Sequence, residues 1–371
     1  MHVAILNWRD LRHPQAGGAE LLCHQQSVYL SEAGHRVTLF SAGFEGADPV
    51  DHGLPYSVVR LGNRFTVYAI VARYLKREAS RSGVDVILEH VNGVPWMTPL
   101  WSPVPSAVFL YHLVGRTFLE ELPFPMSVLG FSIERVMPVF YQHTRAACLG
   151  PGARREFSQA GYPLSAISVI PPGHTSDKKL ESPAKTTLPS AVALGPLKWY
   201  KRHDLILRAW RQVLRLQPDA SLKITGWARG DLASRLRGLM TRLELDGTVE
   251  FTGQIEREEL SRLLARSWCL VYASEREGWG LGVTEAAALG TPTVAFDTGG
   301  LHDALTQSGG GILVPGRDPA HLGKAIYQVF SSRELRDELT TLARLRASQF
   351  TWERHGSEIE KLLLDVKARK R

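Results

Sequence analysis

From residue 2 onward the chain alternates short apolar runs with amphipathic stretches of helical period, and that alternation leaves few folds open. Strands joined in turn by helices build parallel, doubly wound sheets. Apolar runs at 2–6, 36–40, 84–88, 107–111 and 145–149 predict the strands of a first Rossmann-like unit, with a helix over 19–33 stopped at Gly34. Ser168, Val169 and Ile170 end a further strand in the turn Pro171–Pro172, and the polar, Lys-, Ser- and Pro-rich stretch 175–189 reads as a linker. A second unit then begins, with strands expected at 191–194, 221–225, 249–252, 269–272, 293–296 and 312–314, and a last helix from Trp352 to about Lys367. The expected division is 1–172, 173–350 and 351–371.

A chain of 371 residues is too long for one ordinary core, and its 44% apolar content suffices for two. The net charge of +7 favours an anionic partner: a nucleotide sugar, a lipid surface or nucleic acid. The basic residues are dispersed, with no aromatic-interleaved patch, so nucleic acid falls away. The tail Lys367, Arg369, Lys370 and Arg371 reads as a solvated terminus rather than a membrane anchor. Cys23, Cys148 and Cys269 lack CxxC spacing, which argues against a zinc site or disulfide framework and for a reducing compartment. The first residues form a strand, not a signal peptide, and no run approaches the roughly 18 apolar residues of a spanning helix. The expected location is cytoplasmic.

The most informative segment runs from Ser274 to Glu285. It sets Glu277 and Glu285 eight positions apart across Gly278, Trp279, Gly280 and Leu281, a glycine-rich turn that opens a helix. Glycines let a backbone approach a phosphate, and the N–H groups and positive dipole end of a helix welcome its charge. At a rise of roughly 1.5 Å per residue, Glu285 is expected about two turns into the helix, near one end of a nucleotide, with Glu277 near the other. Both carboxylates would accept hydrogen bonds from sugar hydroxyls. Gly17 and Gly18 lie between the first strand and first helix, the usual phosphate-facing position of an α/β unit, although the turn is not GxGxxG. His112 follows an apolar strand, where a doubly wound sheet presents functional side chains, and where a lone histidine also serves as a structural hydrogen-bonding group. The segment 126–131 with nearby Arg135 reads first as a buried helix and second as a lipid-facing one.

The pair Glu277 and Glu285, with Gly278, Gly280 and Leu281 between them, resembles the E-x7-E signature of retaining glycosyltransferases of family 4, in the superfamily of glycogen synthase and phosphatidylinositol mannosyltransferase. The resemblance extends along most of the chain. It implies an α/β GT-B fold, two Rossmann-like domains facing across a cleft, with the C-terminal helix crossing back to the first domain. The turn at Gly17, Gly18, Ala19 and Glu20 is similar to the family's G-G-A-E turn, which closes over the donor diphosphate and borders the acceptor. By the same resemblance His112 would point at the transferred sugar. The run from Leu194 to Arg202 resembles the family's G-R-L-x-x-x-K segment, whose cations grip the diphosphate. Lys201 matches its lysine; Pro196 stands where the family carries arginine, which leaves Lys198 or Arg202 to compensate. Gln254 and Ile255 fall on the turn that meets the nucleotide base, and Trp227 departs from a second glycine after Gly226.

What the resemblance implies is a hexosyltransferase that takes a nucleoside diphosphate sugar, UDP- or GDP-linked, and retains anomeric configuration. The donor is a substrate; no cofactor and no metal are expected, in keeping with the lack of an obvious D-x-D motif. Glu277 would hold sugar hydroxyls rather than attack carbon. The acceptor stays open among a small molecule, a glycan and a lipid-linked sugar with peripheral membrane contact. The rival is a non-catalytic nucleotide-sugar-binding homologue, favoured by Pro196.

Overall fold

A computed structural model of the chain describes residues 1–115, 118, 124–175, 184–228 and 230–369. Part of the expected linker, 176–183, and the last two residues of the basic tail lie outside the described residues. The chain divides into two compact units, Met1–Gly173 with Trp352–Arg371, and His174–Thr351.

The first unit is built on an eight-stranded sheet of β1 (His2–Leu6), β2 (Arg36–Ser41), β3 (Val50–Asp51), β4 (Ser57–Arg60), β5 (Val86–Val91), β6 (Ser106–Leu110), β7 (Arg145–Cys148) and β8 (Ile167–Val169), in the order β3-β4-β2-β1-β5-β6-β7-β8. Every pairing is parallel except β3 with β4. Val3, Ala4, Ile5 and Leu6 of the central β1 are fully buried, as a strand covered on both faces requires. Parallel crossovers are right-handed, so the helix Gly18–Glu32, which leads from β1 to β2, lies on one face of the sheet. The helices Val67–Ser82, Thr98–Trp101 and Met126–Tyr141 lead the opposite way along the sheet and cover the other. The expected strand at 84–88 begins two residues later: Val84 packs in the core ahead of β5. The β3–β4 hairpin was not expected at all.

The last helix, Trp352–Ala368, completes this unit by packing on Gly18–Glu32. Gly356 permits the contact, because a methyl at its Cα would stand 2.1 Å from Cγ of Tyr29. Gln26 meets His355 at 2.9 Å in the buried seam, and Glu360 meets His35 at 2.7 Å at its edge.

The second unit holds six parallel strands: β9 (Ser190–Leu194), β10 (Ser221–Thr225), β11 (Val249–Gly253), β12 (Cys269–Tyr272), β13 (Thr293–Phe296) and β14 (Gly311–Val314). Their order is β11-β10-β9-β12-β13-β14, the 3-2-1-4-5-6 arrangement of a dinucleotide-binding sheet. Trp210, from the helix His203–Leu216, meets Phe330 of the helix Pro319–Ser331 edge to face at 6.1 Å beneath it. Burying such rings contributes most of what holds these layers together. Cys23, Cys148 and Cys269 are buried free thiols.

Candidate active site

In the second unit every strand is parallel, so the loops after β9, β10, β11, β12 and β13 all leave the same edge of the sheet. The strand order reverses between β9 and β12, and such a reversal opens a crevice at the carboxyl ends of the strands. From β9 the chain passes through Gly195, at φ +122°, and Pro196 to a short 3-10 turn, Trp199–Lys201. The Lys201 side chain lies back across Gly195, where a methyl would stand 3.3 Å from its Cε. Its Nζ donates to Oε1 of Glu277, which arrives from the loop after β12. The two side chains are only 11% and 13% exposed, and the rings of Tyr200 and Tyr272 stand 5.6 and 6.0 Å from the ammonium. A charge pair with little water around it interacts far more strongly than an exposed one.

The Glu277 loop is held from three sides. Glu275 donates its N–H to Tyr200 O at 2.7 Å, which ties the loop to the 3-10 turn. Its carboxylate receives Arg202 at 2.5 Å and Arg317 at 3.0 Å. From β13, Thr298 Oγ1 donates to Ser274 O at 2.7 Å, and the N–H of Gly300 donates to Glu277 O at 3.0 Å. Gly300 is needed there: a methyl would come 2.5 Å from the carbonyl carbon of Gly278. The helix Leu281–Ala288 then starts at Gly280, φ +92°, with no side chain capping it. Its first turn presents backbone N–H groups and the positive end of its dipole.

Glu285 sits just past the first turn of that helix rather than about two turns in, because the helix begins at Leu281 and residues 277–280 form the turn before it. Its carboxylate receives Arg257 at 2.9 Å. Arg257 opens the helix Arg257–Arg266 two residues after Ile255, and Gln254 and Ile255 leave β11 through Gly253 at φ +73°. Tyr272 stands beside both carboxylates: burial pushes its phenol well above the ordinary value, and the charges of Glu277 and Glu285 push it further. It is therefore a neutral hydroxyl. Gly282 makes room for it, since a methyl there would lie 2.4 Å from the Tyr272 Oη.

In the first unit the reversal falls between β1 and β5, and the loop after β1 is heavily anchored. Arg60 grips Asp10 with two hydrogen bonds of 2.8 and 2.9 Å, and Ser41 and the Arg12 N–H add two more. Burial raises the Asp10 pKa, but the hydrogen bonds and charge of Arg60 outweigh it and hold the carboxyl below its ordinary range. Gly17 donates its N–H to Glu20 Oε2 at 2.7 Å, and Arg9 holds the other carboxylate oxygen at 3.0 Å. Gly18 begins the helix. Tyr111 Oη donates to Ala19 O at 3.1 Å and pairs with His90 Nδ1 at 2.8 Å. His112, one residue on, is half-buried just beyond the carboxyl end of β6.

Two family models match: the Glycosyltransferase Family 4 domain over residues 16–178 and the Glycosyl transferases group 1 domain over residues 175–346. The chain belongs to the family 4-like GT-B glycosyltransferase superfamily. The D-inositol 3-phosphate glycosyltransferase of Geodermatophilus obscurus is 32% identical over 218 residues, covering 54% of this chain and 48% of that protein. That of Corynebacterium jeikeium is 29% identical over 214 residues, covering 53% and 51%. The match thus spans about half the length of these curated relatives. Among solved structures, sucrose-phosphate synthase from Thermosynechococcus elongatus has a TM-score of 0.81 at 21% identity, covering 99% of both chains. Anabaena HepE in complex with UDP and glucose has a TM-score of 0.75 at 19% identity, covering 98% of this chain and 100% of that one. These likenesses are of fold, and the fold is GT-B.

Of the glycosyltransferase residues expected from sequence, the second unit brings Lys201, Glu277, Gly278, Gly280, Leu281 and Glu285 to one edge of its sheet, with Gln254 and Ile255 on the same edge. Trp279 is 1% exposed, and its indole packs on Phe350 at 5.8 Å. Arg202, expected to make up for Pro196, gives its guanidinium to Asp204 and Glu275. Lys198 stands 5.5 Å from the Tyr200 ring. Tyr272, Glu275, Arg257 and Arg317 were missed. Tyr272 alone carried a signal, as the polar-tipped residue ending an apolar strand. Among the described residues no group of three or more His, Cys, Asp or Glu side chains is arranged to hold a metal ion, and no helix is long and apolar enough to cross a membrane.

Proposed function

We propose that the chain is a retaining glycosyltransferase that moves a sugar from a nucleoside diphosphate donor, UDP- or GDP-linked, to a hydroxyl acceptor without a metal ion. The observation that carries the reading is the meeting of Lys201 with Glu277 beside the uncapped start of the helix Leu281–Ala288. An ammonium, a set of helix N–H groups and two carboxylates are what a sugar diphosphate needs: positive charge for the diphosphate and acceptors for the hydroxyls. The bond from the anomeric carbon to the diphosphate oxygen breaks, and the acceptor oxygen bonds to the same face of that carbon. The acceptor's proton passes to the departing diphosphate. Lys201 and the helix N-terminus carry the charge that develops there, fixed in place before the reaction begins. Glu277 holds sugar hydroxyls and keeps Lys201 oriented, while Glu285 accepts from the ribose.

In the first unit, the Gly17–Gly18 turn borders the acceptor, and His112 serves the transferred sugar. HepE, whose structures hold UDP, glucose and UDP-glucose, supports a uridine donor, and the curated relatives' inositol phosphate supports a small hydroxylated acceptor. A thermal-shift panel of nucleoside diphosphates and their sugars tests the reading, because a ligand that binds only the folded state raises its melting temperature. Selective stabilisation by one base, followed by donor consumption on addition of acceptor, is the expected outcome. Stabilisation without turnover on any acceptor would instead identify a non-catalytic nucleotide-sugar-binding homologue, the reading favoured by Pro196 and by the engagement of Arg202. No stabilisation by any nucleotide would sink both.

A further inference from the structure

The helix Met126–Tyr141 is apolar on both of its faces, one packed on the sheet and one exposed. Its inward face carries Ser127, Gly130 and Glu134 together with the core side chains Met137 and Tyr141, and the Glu134 carboxylate accepts from the N–H groups of Val114 and Gly115 at 2.5 and 2.6 Å. Its outward face carries Val128, Leu129, Val136, Val139 and Phe140, with Leu129 60% and Val139 64% exposed. At 100° per residue these five fall within one sector of the helix, and the polar residues among them are Ser132 and Arg135. A helix that buries one apolar face on its sheet and still exposes a second, contiguous apolar sector is matched to an apolar neighbour rather than to water on that outer side.

The same layer continues the pattern. Thr98–Trp101 touches both Met126–Tyr141 and Val67–Ser82, and all three helices cover the same face of the sheet. Leu100 is 58% exposed, and Phe65, at the entrance to Val67–Ser82, is 56% exposed. Between and beside these apolar side chains stand Arg64, Arg73, Lys76, Arg77 and Arg135, all exposed, and none of the five forms an ion pair among the described residues. Arg64 and Arg135 lie instead over the rings of Phe65 and Phe131, at 4.7 and 5.2 Å.

We propose that this face of the first unit docks on an anionic lipid surface, its aliphatic and aromatic side chains entering the headgroup boundary and its five cations meeting lipid phosphates. The charge decides the occupant. Two copies of the chain joined symmetrically through this face would set cations against cations, whereas an anionic bilayer neutralises them. The mode is interfacial: the two longer helices, of 16 residues each, lie along the face as surface-bound amphipathic helices do. The proposal stands on exposure and charge and does not depend on the transfer reaction.

The test is flotation of the full chain with vesicles of phosphatidylcholine alone and of an equal mixture with phosphatidylglycerol. The expected result is capture by the mixed vesicles, weak capture by phosphatidylcholine, and loss of capture at high salt. The pair Leu129→Glu and Val139→Glu, both at exposed positions, abolishes capture while circular dichroism and melting temperature stay unchanged. The pair Arg73→Ala and Arg77→Ala weakens it by about fivefold for each cation removed. Absence of capture by mixed vesicles, or capture that both variant pairs leave intact, would overturn the proposal. So would a dimer in sedimentation that Val139→Glu disperses and vesicles do not compete with.

Discussion

Lys201 and Glu277 meet across the point where the second sheet reverses its strand order, one delivered by the loop after β9 and the other by the loop after β12. Neither loop is fixed by that contact alone. The 3-10 turn accepts a hydrogen bond from Glu275, and the turn after β13 donates one to Glu277 O, so three successive βα loops share one backbone framework. A pair built this way is set before any ligand arrives, which is the condition for electrostatic stabilisation without reorganisation.

The closeness of the helix Leu281–Ala288 to its strand rests on Gly282. A methyl there would lie 2.4 Å from Tyr272 Oη and 3.0 Å from a Leu194 methyl group, both in well-packed surroundings. Gly282→Ala is expected to destabilise the second unit by about 1–3 kcal/mol and to push the helix away from Tyr272. Differential scanning calorimetry checks this, and an unchanged melting temperature would show that the packing is looser than described.

Glu285 receives Arg257 at 2.9 Å, and the pair stands beside the loop that carries Gln254 and Ile255. If this carboxylate accepts from the ribose, Glu285→Gln should weaken a nucleoside diphosphate roughly tenfold, the scale of a charge-assisted hydrogen bond, while leaving the 2′,3′-dideoxy analogue nearly unaffected. Equal losses for both ligands would place the ribose elsewhere.

His112 lies beyond β6 in the first unit, away in sequence from the nucleotide-binding motif. His112→Ala is expected to lower kcat by 10- to 100-fold with nucleotide affinity nearly unchanged. A loss of affinity equal to the loss of rate would contradict its assignment to the transferred sugar.

The seam between the helices Gly18–Glu32 and Trp352–Ala368 is sensitive to acid. Burial lowers the His355 pKa to about 4, only partly offset by hydrogen bonds to the carbonyls of Pro171 and Ile170. Burial and the neighbouring His355 lower His90 to about 3. Both pKa values lie below the unfolded value of about 6.5, so the unfolded chain binds more protons between these limits. Stability is therefore full above about pH 6.5 and lost as the pH falls through the window toward 4. The melting temperature should drop across that range in wild type and less steeply in His355→Gln; identical slopes would remove the histidine from the account.

Much of the fold was legible because a parallel sheet buried on both faces writes itself as apolar runs, and β1, β12 and β13 match theirs to the residue at one end or both. The hairpin of β3 and β4 was not, since Val50–Asp51 is too short to carry a period. The GT-B superfamily and its motif were legible from Glu277 through Glu285. What holds those residues was not: Arg257 reaches Glu285 across 28 positions and Arg202 reaches Glu275 across 73, pairings that only the folded chain creates. Within the segment 126–131, Ser127 and Gly130 are buried while Val128 and Leu129 are exposed, a division that periodicity could not assign because it marks a helix's apolar positions without saying which side meets the sheet.

The central claim is that Lys201 carries diphosphate charge at the start of the helix Leu281–Ala288 without a metal. Isothermal titration of the full chain, in the presence of a chelator, with the nucleoside diphosphate that stabilises it best, tests this most directly. The account predicts binding by wild type and a loss of about 10- to 100-fold in Lys201→Met, the scale of a hydrogen-bonded charge. Equal affinity in the two proteins, or binding that appears only when a divalent metal is restored, would contradict it.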